Sequence, residues 1–351
     1  MARGKRITSK MVAERAGVSR TAVSFVLNGD PLGKISPETK RRIRKAMAEL
    51  NYKPDLLARS MRTRKTQTIG IITTGIGGGW FTRIVLGAEQ ALREEGYHIL
   101  LGSISPGPTK AKSMMSSIDL LLSRQVDGLI IITGSESQNG EGLSPLENSG
   151  VPAVLVNYYS EQEIPFGRVY VGYREAAIRA VEHLAGLGKE RIAFLGKTME
   201  GGSTGFTREI YLGYKAGLAN ASLPYIQELV HSFVDVTEPY SWGMEMAEEL
   251  LALKPDAIYC LNDHIAFGVL AALRKRGILV PEEIAVVGND DFEAAKFVDP
   301  PLTSVDMMLE DCGELAGKLL LKMLDGEEAQ TPLFGPAQVK ARASTVGILE
   351  R

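Results

Sequence analysis

Polar side chains that donate hydrogen bonds recur at helical spacing near the beginning of the chain, at Arg20, Thr21, Ser24 and Asn28. Arginine can donate two parallel hydrogen bonds to a guanine, while threonine, serine and asparagine can bond base edges or phosphate oxygens. Ala22, Val23 and Val26 share the opposite face, so a helix here would pack one face and present the other. These features predict a helix that reads the major groove of DNA.

Cap signals place this segment as the second of three helices. Ser19 can accept hydrogen bonds from the first backbone N–H groups of that helix. A first helix is predicted to follow Thr8–Ser9 and to end at Gly17, and a third to begin at Ser36–Pro37, where a cap residue precedes proline. Three short helices in this order predict a helix-turn-helix head.

Charge is divided unevenly along the chain. Residues 1–66 contain 17 Lys and Arg against 5 Asp and Glu, whereas the other 285 residues contain 23 against 37. The overall net charge of −2 therefore hides a basic beginning and an acidic remainder. A basic segment attracts polyphosphates, with an affinity that falls steeply as salt rises. A solvated basic helix, such as residues 40–45, is the alternative explanation.

Composition excludes several other classes of protein. No apolar run is long enough to cross a membrane, and the first residues, MARGKRITSK, lack the apolar segment of a secretory signal. Cys260 and Cys312 lie in apolar contexts, so we expect reduced, buried thiols. The four histidines are scattered and predict no metal site. We therefore expect a cytoplasmic protein that uses neither a metal nor another cofactor.

Beyond the head, strand-like and helix-like patterns alternate. Apolar runs such as TIGIIT, VDGLIII, PAVLV, RIAFLG and EIAVVG are separated by amphipathic segments. Continuous apolar strands that alternate with helices predict parallel sheets covered on both faces. About 230 residues of this pattern are long for one doubly wound sheet, so we expect two α/β lobes with a cleft between them.

Motifs between residues 12 and 347 are typical of one group of bacterial proteins. They read VAERAGVSRTAVSFVLNG, ISPETKRRIRKAMAELNYKPDLLARSM, VDGLIII, AVEHLAGLGKERIAFLG, LNDHIAFGVLAALRKRGILVPEEIAVVGNDD and KARASTVG. These motifs resemble the lactose-repressor/galactose-repressor (LacI/GalR) family of transcription regulators. The resemblance implies an α/β core of two doubly wound parallel-sheet lobes, periplasmic-binding-protein-like, with an N-terminal all-α helix-turn-helix head.

The resemblance also implies how such a chain works. It implies a homodimer that binds a palindromic double-stranded operator DNA and represses a catabolic or transport operon. A small-molecule effector, sugar-like or otherwise polar, would bind in the cleft between the lobes. The protein would be cytoplasmic and associated with the nucleoid, without contact to a membrane.

The same resemblance implies domain boundaries. The helix-turn-helix head would comprise residues 6–53, followed by a hinge helix and linker over 54–66 and a core over 67–351. Within the core, lobe 1 would comprise about 67–164 and 300–330. Lobe 2 would comprise about 165–299 and 331–351.

Roles in DNA binding follow from the resemblance for residues of the head and the hinge. Arg20 and Thr21, with Phe25 one turn later, would contact bases, whereas other polar residues would contact phosphates. Met61 stands where the family inserts a leucine between base pairs, and methionine can also act as a wedge; alone, it would be a core or linker residue. The predicted set is Thr8, Ser9, Ser19, Arg20, Thr21, Ser24, Phe25, Asn28, Arg59 and Met61.

Effector-binding residues are likewise implied for the cleft. Asp290 matches the ligand-binding aspartate of the family and follows an apolar strand, at the edge where α/β proteins bind ligands; a helix cap is its alternative role. Trp80 and Phe81 stand where the family often places a stacking aromatic, although such residues can equally be structural. The predicted set is Trp80, Phe81, Arg208, Asn262, Asp263 and Asp290.

Two departures from the family pattern bear on the ligand. The arginine that the family places three residues before Gly213 is Ile210 here, and the nearest arginine is Arg208. The Asp-Asn pair that the family places after the strand near residue 171 is Gly172-Tyr173. A hexose needs several convergent polar groups, so we expect a small polar or partly aromatic ligand instead.

Three other functions fit the sequence less well. Gly201–Gly205 matches the G-x-S-x-G pattern of a nucleophile elbow, but several residues separate it from the preceding strand. The glycine-rich run after residue 74 lacks the third glycine of a dinucleotide loop, because Trp80 takes its place. A free solute-binding protein would carry a secretory signal and no basic head. We therefore expect a regulator and not an enzyme.

Overall fold

The computed structural model describes residues 7–27, 33–52, 65–74, 79–105, 109–133, 142–159, 164–198, 205–233, 238–328 and 333–347. The chain forms two compact units, Met1–Thr66, here called the head, and Gln67–Arg351, here called the core.

Three helices form the head, as the cap signals predict. They are α1 Ser9–Ala16, α2 Arg20–Leu27 and α3 Pro37–Glu49. Thr8, Ser19 and Ser36 cap them: the side-chain oxygen of each accepts a hydrogen bond from the backbone N–H three residues later, at 3.4, 3.1 and 3.3 Å. These bonds satisfy donors that have no partner inside a helix.

A small apolar core holds these helices together. Its buried members come from all three helices and are Val12, Ala13, Ala16, Val23, Ile43 and Ala46. Gly17 ends α1 in the left-handed conformation, with φ of 63°, which a residue without a side chain adopts at little cost. The Arg42 guanidinium on α3 donates to the Gly17 carbonyl oxygen at 3.1 Å, so the turn between α1 and α2 is also held from the third helix.

Twelve strands and nine α-helices are assigned in the described part of the core. The strands are β1 Thr68–Thr74, β2 His98–Ile104, β3 Gly128–Ile132, β4 Ala153–Val156, β5 Gly167–Tyr170, β6 Ile192–Gly196, β7 Val230–Ser232, β8 Ala257–Cys260, β9 Ala285–Asn289, β10 Thr303–Asp306, β11 Leu333–Phe334 and β12 Gln338–Lys340. The helices are α4 Gly79–Glu94, α5 Lys110–Ser123, α6 Ser144–Glu147, α7 Tyr173–Gly186, α8 Gly205–Asn220, α9 Pro239–Leu250, α10 Asp263–Lys275, α11 Leu309–Leu324 and α12 Ala343–Val346.

The strands form two sheets, one in each lobe. Sheet A of lobe 1 has the order β11-β5-β4-β3-β1-β2 and is parallel throughout, and sheet B of lobe 2 has the order β12-β10-β9-β8-β6-β7. Only the β10–β12 pairing is antiparallel among the described strands. Every residue of β3, β4, β8 and β9 is buried, as expected for parallel strands covered on both faces. The predicted two-lobed α/β fold is confirmed.

The chain changes lobes at residues other than those predicted. Strand β5 belongs to sheet A and β10 to sheet B, although residues 165–299 were assigned to lobe 2 and residues 300–330 to lobe 1. Strands β11 and β12 then divide the last segment between the two sheets. The crossings therefore lie near residues 170–173, 306–309 and 334–338. The sequence does not mark these points, because the sheet that a strand joins depends on its hydrogen-bonded neighbours and not on its own residues.

Helices α4 and α11 pack against each other at unusually short range in lobe 1. A side chain at Gly87 would collide with the backbone of Glu310, and one at Gly313 would collide with the backbone carbonyl of Ile84. Glycine at both positions therefore permits a close approach of the two helices. This packing brings Arg83 on α4 beside Glu310 in the first turn of α11.

Candidate DNA-reading surface and interlobe site

The polar face of α2 is accessible for recognition. Arg20 and Thr21 are exposed, whereas Val23 on the opposite face is fully buried in the core of the head. Ser19 is exposed as well, although its hydroxyl oxygen already caps α2. The buried face fixes the rotation of the helix, so the side chains of Arg20 and Thr21 point away from the apolar core and can reach a partner.

The other predicted contacts of the head are less uniform. Ser24 and Phe25 are partly buried, and Thr8 caps α1 while Ser9 begins it. The ammonium group of Lys34 lies 5.6 Å from the centre of the Phe25 ring, a distance at which a cation is attracted to an aromatic face. Lys34 therefore adds a positive charge beside Phe25 that the sequence pattern alone did not single out.

Some predicted residues cannot be placed. Asn28, Arg59, Met61 and the side chain of Trp80 lie outside the described residues, as do residues 201–204 of the possible nucleophile elbow. Their predicted roles remain predictions.

Asp290 begins a strained loop at the carboxyl end of β9. Asp290 and Asp291 both have positive φ, 96° and 48°, a conformation that costs free energy in residues other than glycine and persists only where the surroundings enforce it. The backbone N–H of Asp290 donates to the Val305 carbonyl oxygen at 3.0 Å, and that of Asp291 donates to Ser304 Oγ at 3.0 Å. Strand β10 thus holds the loop from one side.

Asp263 supports the same loop from beneath. It is fully buried, and both of its carboxylate oxygens accept hydrogen bonds, from Ser304 Oγ at 2.6 Å and from the Phe292 backbone N–H at 2.8 Å. Burial raises the pKa of Asp263, and the nearby Asp290 carboxylate adds to that rise, while the two hydrogen bonds oppose it. Asp263 therefore positions the loop, with both carboxylate oxygens already bonded within the protein, and its predicted role in effector binding remains a prediction.

The last described segment of the chain completes this support. Arg342 forms an ion pair with Asp291, at 2.6 Å between Nη2 and Oδ1, and donates from Nη1 to the Leu302 carbonyl oxygen at 2.7 Å. Ser344 Oγ accepts a hydrogen bond from the Thr303 backbone N–H at 2.8 Å. The KARAST motif thus binds sheet B directly behind the loop.

The side chain of Asp290 is partly buried and unpaired. No described residue donates a hydrogen bond to its carboxylate, whereas its backbone carbonyl oxygen accepts one from Arg83 Nη1 at 3.3 Å. Burial raises the pKa of Asp290 to about 7, against the opposing effect of the Arg83 charge. An unpaired acceptor of this kind can bind a hydroxyl or amine donor of a ligand.

One buried aromatic residue, Tyr173, is close enough to Asp290 for the Asp290 charge to raise its pKa. The ring of Tyr173, which replaces a polar family residue, is buried and lies 5.1 Å from that of Phe206 between centres. Burial raises the pKa of Tyr173, and the charge of Asp290 raises it further, so the two groups are electrostatically coupled. Tyr159 and Tyr170 form a second ring pair at 4.9 Å. The sequence pattern did not identify Phe206 or Tyr159, because rings near one another in space are far apart along the chain.

The remaining predicted cleft residues differ in position. Asn262 caps α10, where its Oδ1 accepts from the Ile265 backbone N–H at 3.0 Å. Phe81 packs partly buried against the apolar core, and Arg208 is exposed on α8. Ile210, at the position of the family arginine, is 1% exposed. Among the predicted cleft residues that the structure describes, Asp290 has the one carboxylate without a hydrogen-bond donor. Residue 210 is a buried isoleucine and supplies no positive charge.

Among the buried polar atoms without a partner in the described residues, two lie on β1 and β9. Thr73 Oγ1 at the end of β1 and Asn289 Oδ1 at the end of β9 have no hydrogen-bond partner among the described residues. The amide nitrogen of Asn289, Nδ2, donates a hydrogen bond to the Tyr259 hydroxyl at 2.7 Å. Buried polar atoms are nearly always satisfied, so these two mark places where a ligand or water can bond.

The described residues contain neither a cluster of metal ligands nor a membrane-spanning helix. No group of three or more His, Cys, Asp and Glu side chains in the described ranges could hold a metal ion. None of the helices described here is both long and apolar enough to cross a membrane.

Comparison with known proteins places these features in a family. Residues 8–55 match the pattern of bacterial regulatory proteins of the lacI family, and residues 181–345 match that of periplasmic binding protein-like domains. Catabolite control protein A of Priestia megaterium is 31% identical over 97% of this chain and 99% of its own length. The chain belongs to the LacI family. It is therefore a DNA-binding transcriptional regulator with an effector-binding core.

Solved structures of LacI-family proteins have the same architecture. A transcriptional regulator CelR–cellobiose complex is 28% identical with a TM-score of 0.69, over 97% of this chain and 100% of that one. A lac repressor dimer bound to operator and the anti-inducer ONPF has a TM-score of 0.81 over 97% and 99% of the two chains. That protein is 24% identical to this LacI-family chain, so its similarity concerns the fold alone.

Proposed function

We propose that this LacI-family regulator is a homodimeric repressor whose affinity for a palindromic operator is set by a small molecule bound between its lobes. The observation that carries the proposal is the exposed, capped face of α2 with Arg20 and Thr21. Two such helices related by a two-fold axis read two half-sites of opposite orientation. The target would be a catabolic or transport operon, as for a catabolite control protein.

Within each half-site the residues have separate roles. Arg20 bonds a guanine and Thr21 contacts a neighbouring base, because both side chains are exposed on the capped first turn of α2. Ser19, Ser24, Thr8 and Ser9 bind phosphates and fix the register of the head. Phe25 contributes an apolar contact, with Lys34 beside it. Asn28 adds a phosphate contact, and Arg59 and Met61 act in the hinge, where Met61 is the wedge.

Apolar surface on lobe 1 supports dimerisation. Leu100 and Leu101 are 39% and 52% exposed on β2, which is the edge strand of sheet A. Met115 and Leu120 on α5, together with Leu86 on α4, are also exposed large apolar side chains. Exposed apolar residues along a sheet edge are typical of a surface that a partner covers. The solved lac repressor is also described as a dimer.

The ligand combines hydrogen-bond donors with an apolar or aromatic part. Asp290 supplies an unpaired acceptor, and Tyr173, whose pKa the Asp290 charge raises, supplies an aromatic ring that pairs with Phe206. Ile210 supplies no charge where the family has arginine, so a plain hexose would lose a major polar contact. The related CelR and lac repressor structures are described with cellobiose and ONPF, and this chain would bind a less uniformly polar molecule.

Further properties follow from the same proposal. The protein acts by binding and not by catalysis, because members of the family are regulators. It works in the cytoplasm, associated with the nucleoid, and needs no cofactor.

Selection of genomic DNA fragments by the full-length protein tests the proposal. The expected result is enrichment of fragments that share a palindromic site, retained in a gel-shift assay at physiological salt. Arg20→Ala should reduce the enrichment and relax the preference at one guanine in each half-site, while a small molecule from the cell should change the affinity of the wild-type protein for the site. Retention of all fragments alike, or of none, would refute the proposal.

A further inference from the structure

Arg83 binds three acceptors that belong to different parts of the core. Its Nη1 donates to the Asp290 carbonyl oxygen at 3.3 Å, its Nη2 to Asp306 Oδ1 at 3.2 Å and its Nε to Glu310 Oε1 at 3.4 Å. Arg83 and Glu310 lie on the helices of lobe 1, whereas Asp290 follows a strand of sheet B in lobe 2. Asp306 is the last residue of β10, where the chain crosses back to lobe 1. One guanidinium therefore spans the junction of the lobes.

The guanidinium is held firmly on the side of lobe 1. The close packing of α4 on α11, which Gly87 and Gly313 permit, fixes the distance between the helix that carries Arg83 and the helix that carries Glu310. Asp306, at the end of β10 in sheet B, holds Arg83 from the junction of the lobes, and its Oδ1 also accepts the Met308 backbone N–H at 2.9 Å. Arg83 thus presents a positioned donor to lobe 2.

Asp290 has a conformation that depends on contacts from both lobes. Its N–H bonds to Val305 within lobe 2, while its carbonyl oxygen bonds to Arg83 of lobe 1. Its φ of 96° is unfavourable for an aspartate and needs such contacts to persist. Because the orientation of the carbonyl and the direction of the side chain change together when the backbone rotates, loss of the Arg83 bond would move the carboxylate.

We propose that Arg83 is the positioning residue through which lobe 1 sets the conformation of Asp290. An altered arrangement of the lobes separates Arg83 from Asp290, relaxes the strained backbone and redirects the carboxylate. Ligand binding at Asp290 and lobe arrangement are then coupled through one side chain. This inference rests on the proposed role of Asp290 in binding the effector. Its structural part, the effect of Arg83 on the conformation of Asp290, can be tested on the protein without a ligand.

Hydrogen exchange of the full-length protein, followed by mass spectrometry, tests the effect of Arg83 on the loop at residues 290–292. The expected result for Arg83→Met is exchange at least about ten times faster for the amides of residues 290–292, because the loop loses its contact with lobe 1. The matched control is Arg93→Met on the same helix, since Arg93 pairs only with Glu89 one turn away among the described residues. Arg93→Met should leave exchange at 290–292 unchanged.

A second measurement separates positioning from general structural support. The Arg83 charge lowers the pKa of Asp290, so Arg83→Met should move the Asp290-dependent part of the pH–stability profile to higher pH. Arg83→Lys retains the charge and should keep this midpoint, while its single ammonium restores the slow exchange only in part. For each protein, the pH–stability profile of the same protein with the additional substitution Asp290→Asn is subtracted. The difference is the part of the profile that depends on Asp290.

The outcomes are distinct. Unchanged exchange at 290–292 in folded Arg83→Met would overturn the proposal, as would a midpoint that does not move. If Arg83→Met does not fold, Arg83→Lys decides by the same exchange measurement. Neither measurement uses operator or effector. A ligand response retained in Asp290→Ala would therefore refute the proposed ligand role of Asp290 without changing the result for Arg83.

Discussion

The head and the interlobe site position their functional side chains by different means. In the head, the caps that orient α2 and α1 join residues three apart, Ser19 with Ala22 and Thr8 with Met11. In the interlobe site, the supporting bonds join Asp263 with Ser304, 41 residues apart, and Arg83 with Asp290, 207 residues apart. The exposed face of α2 is therefore positioned by contacts between neighbouring residues, whereas the interlobe site is positioned by contacts between distant segments of the core.

The exposure of the functional side chains also differs between the head and the interlobe site. Arg20 and Thr21 are exposed and take no part in the apolar core of the head. Asp263 is buried, and Asp290 is partly buried with a raised pKa. Substitutions on α2 should therefore change binding with little change in stability, whereas substitutions at the interlobe site should change both. Four predictions test this contrast.

The largest effect is expected for Asp263→Ala. The substitution leaves the Ser304 hydroxyl and the Phe292 N–H without their acceptor in a buried site, and each unsatisfied donor costs free energy. We expect a loss of about 3–5 kcal/mol in the unfolding free energy of the core. Urea unfolding of the full-length protein measures it, with exposed Asp325→Ala as the matched control. A loss no larger than that of the control would remove Asp263 from the support of the loop.

The second effect concerns Asp290 and pH. Its pKa is about 7 in the folded protein against an ordinary 3.8, so the folded state binds the proton more tightly than the unfolded state. Asp290 therefore makes the protein less stable as pH rises from about 4 to about 7. Asp290→Asn should remove this loss and gain about 2–4 kcal/mol at pH 8 relative to pH 4.

Thermal unfolding of wild type and Asp290→Asn across that pH range measures the gain. Asp325→Asn, at an exposed aspartate on the surface of the core, is the matched control. If the difference between Asp290→Asn and wild type were independent of pH, Asp290 would not titrate near neutrality, and the contrast in burial between the two regions would be weaker than the structure indicates.

The third effect separates recognition from stability. Arg20→Ala should weaken specific operator binding by about 1–3 kcal/mol, about 5- to 150-fold, and relax the preference at one guanine in each half-site. The melting temperature of the protein should stay unchanged. Arg44→Ala, an exposed arginine on α3, should change specific and non-specific binding equally. Equal weakening on all DNA sequences by Arg20→Ala would make Arg20 a phosphate contact only.

The smallest effect is expected for the cap of α2. Ser19→Ala removes the acceptor of the Ala22 N–H and should destabilise the first turn by about 1 kcal/mol. Amide hydrogen exchange within α2 of the full-length protein measures this loss. Thr21→Ala, which removes an exposed hydroxyl that caps no helix, should leave exchange slow. Similar exchange in both variants would show that tertiary packing alone orients α2.

Much of the fold could be predicted because its signals are local. Ser19, Ser36–Pro37 and Gly17 mark helix ends by the hydrogen bonds and φ angles that they permit. Apolar runs alternating with amphipathic segments predict parallel sheets. The position of Asp290 followed from the rule that polar residues at carboxyl ends of strands face a ligand. Its strained backbone and unpaired carboxylate did not follow, because they depend on Val305 and Arg83.

The three capped helices, the exposed face of α2, the basic charge of the head and the two-lobed α/β class of the core can all be predicted from the amino-acid sequence. Each depends on residues within a few turns of one another or on total composition. Three other features follow from tertiary contacts: β10 joins sheet B, Asp263 accepts hydrogen bonds from Ser304 and Phe292, and Arg83 reaches Asp290. These contacts connect distant segments, and side chains of the same type at other positions would give the same local pattern without meeting.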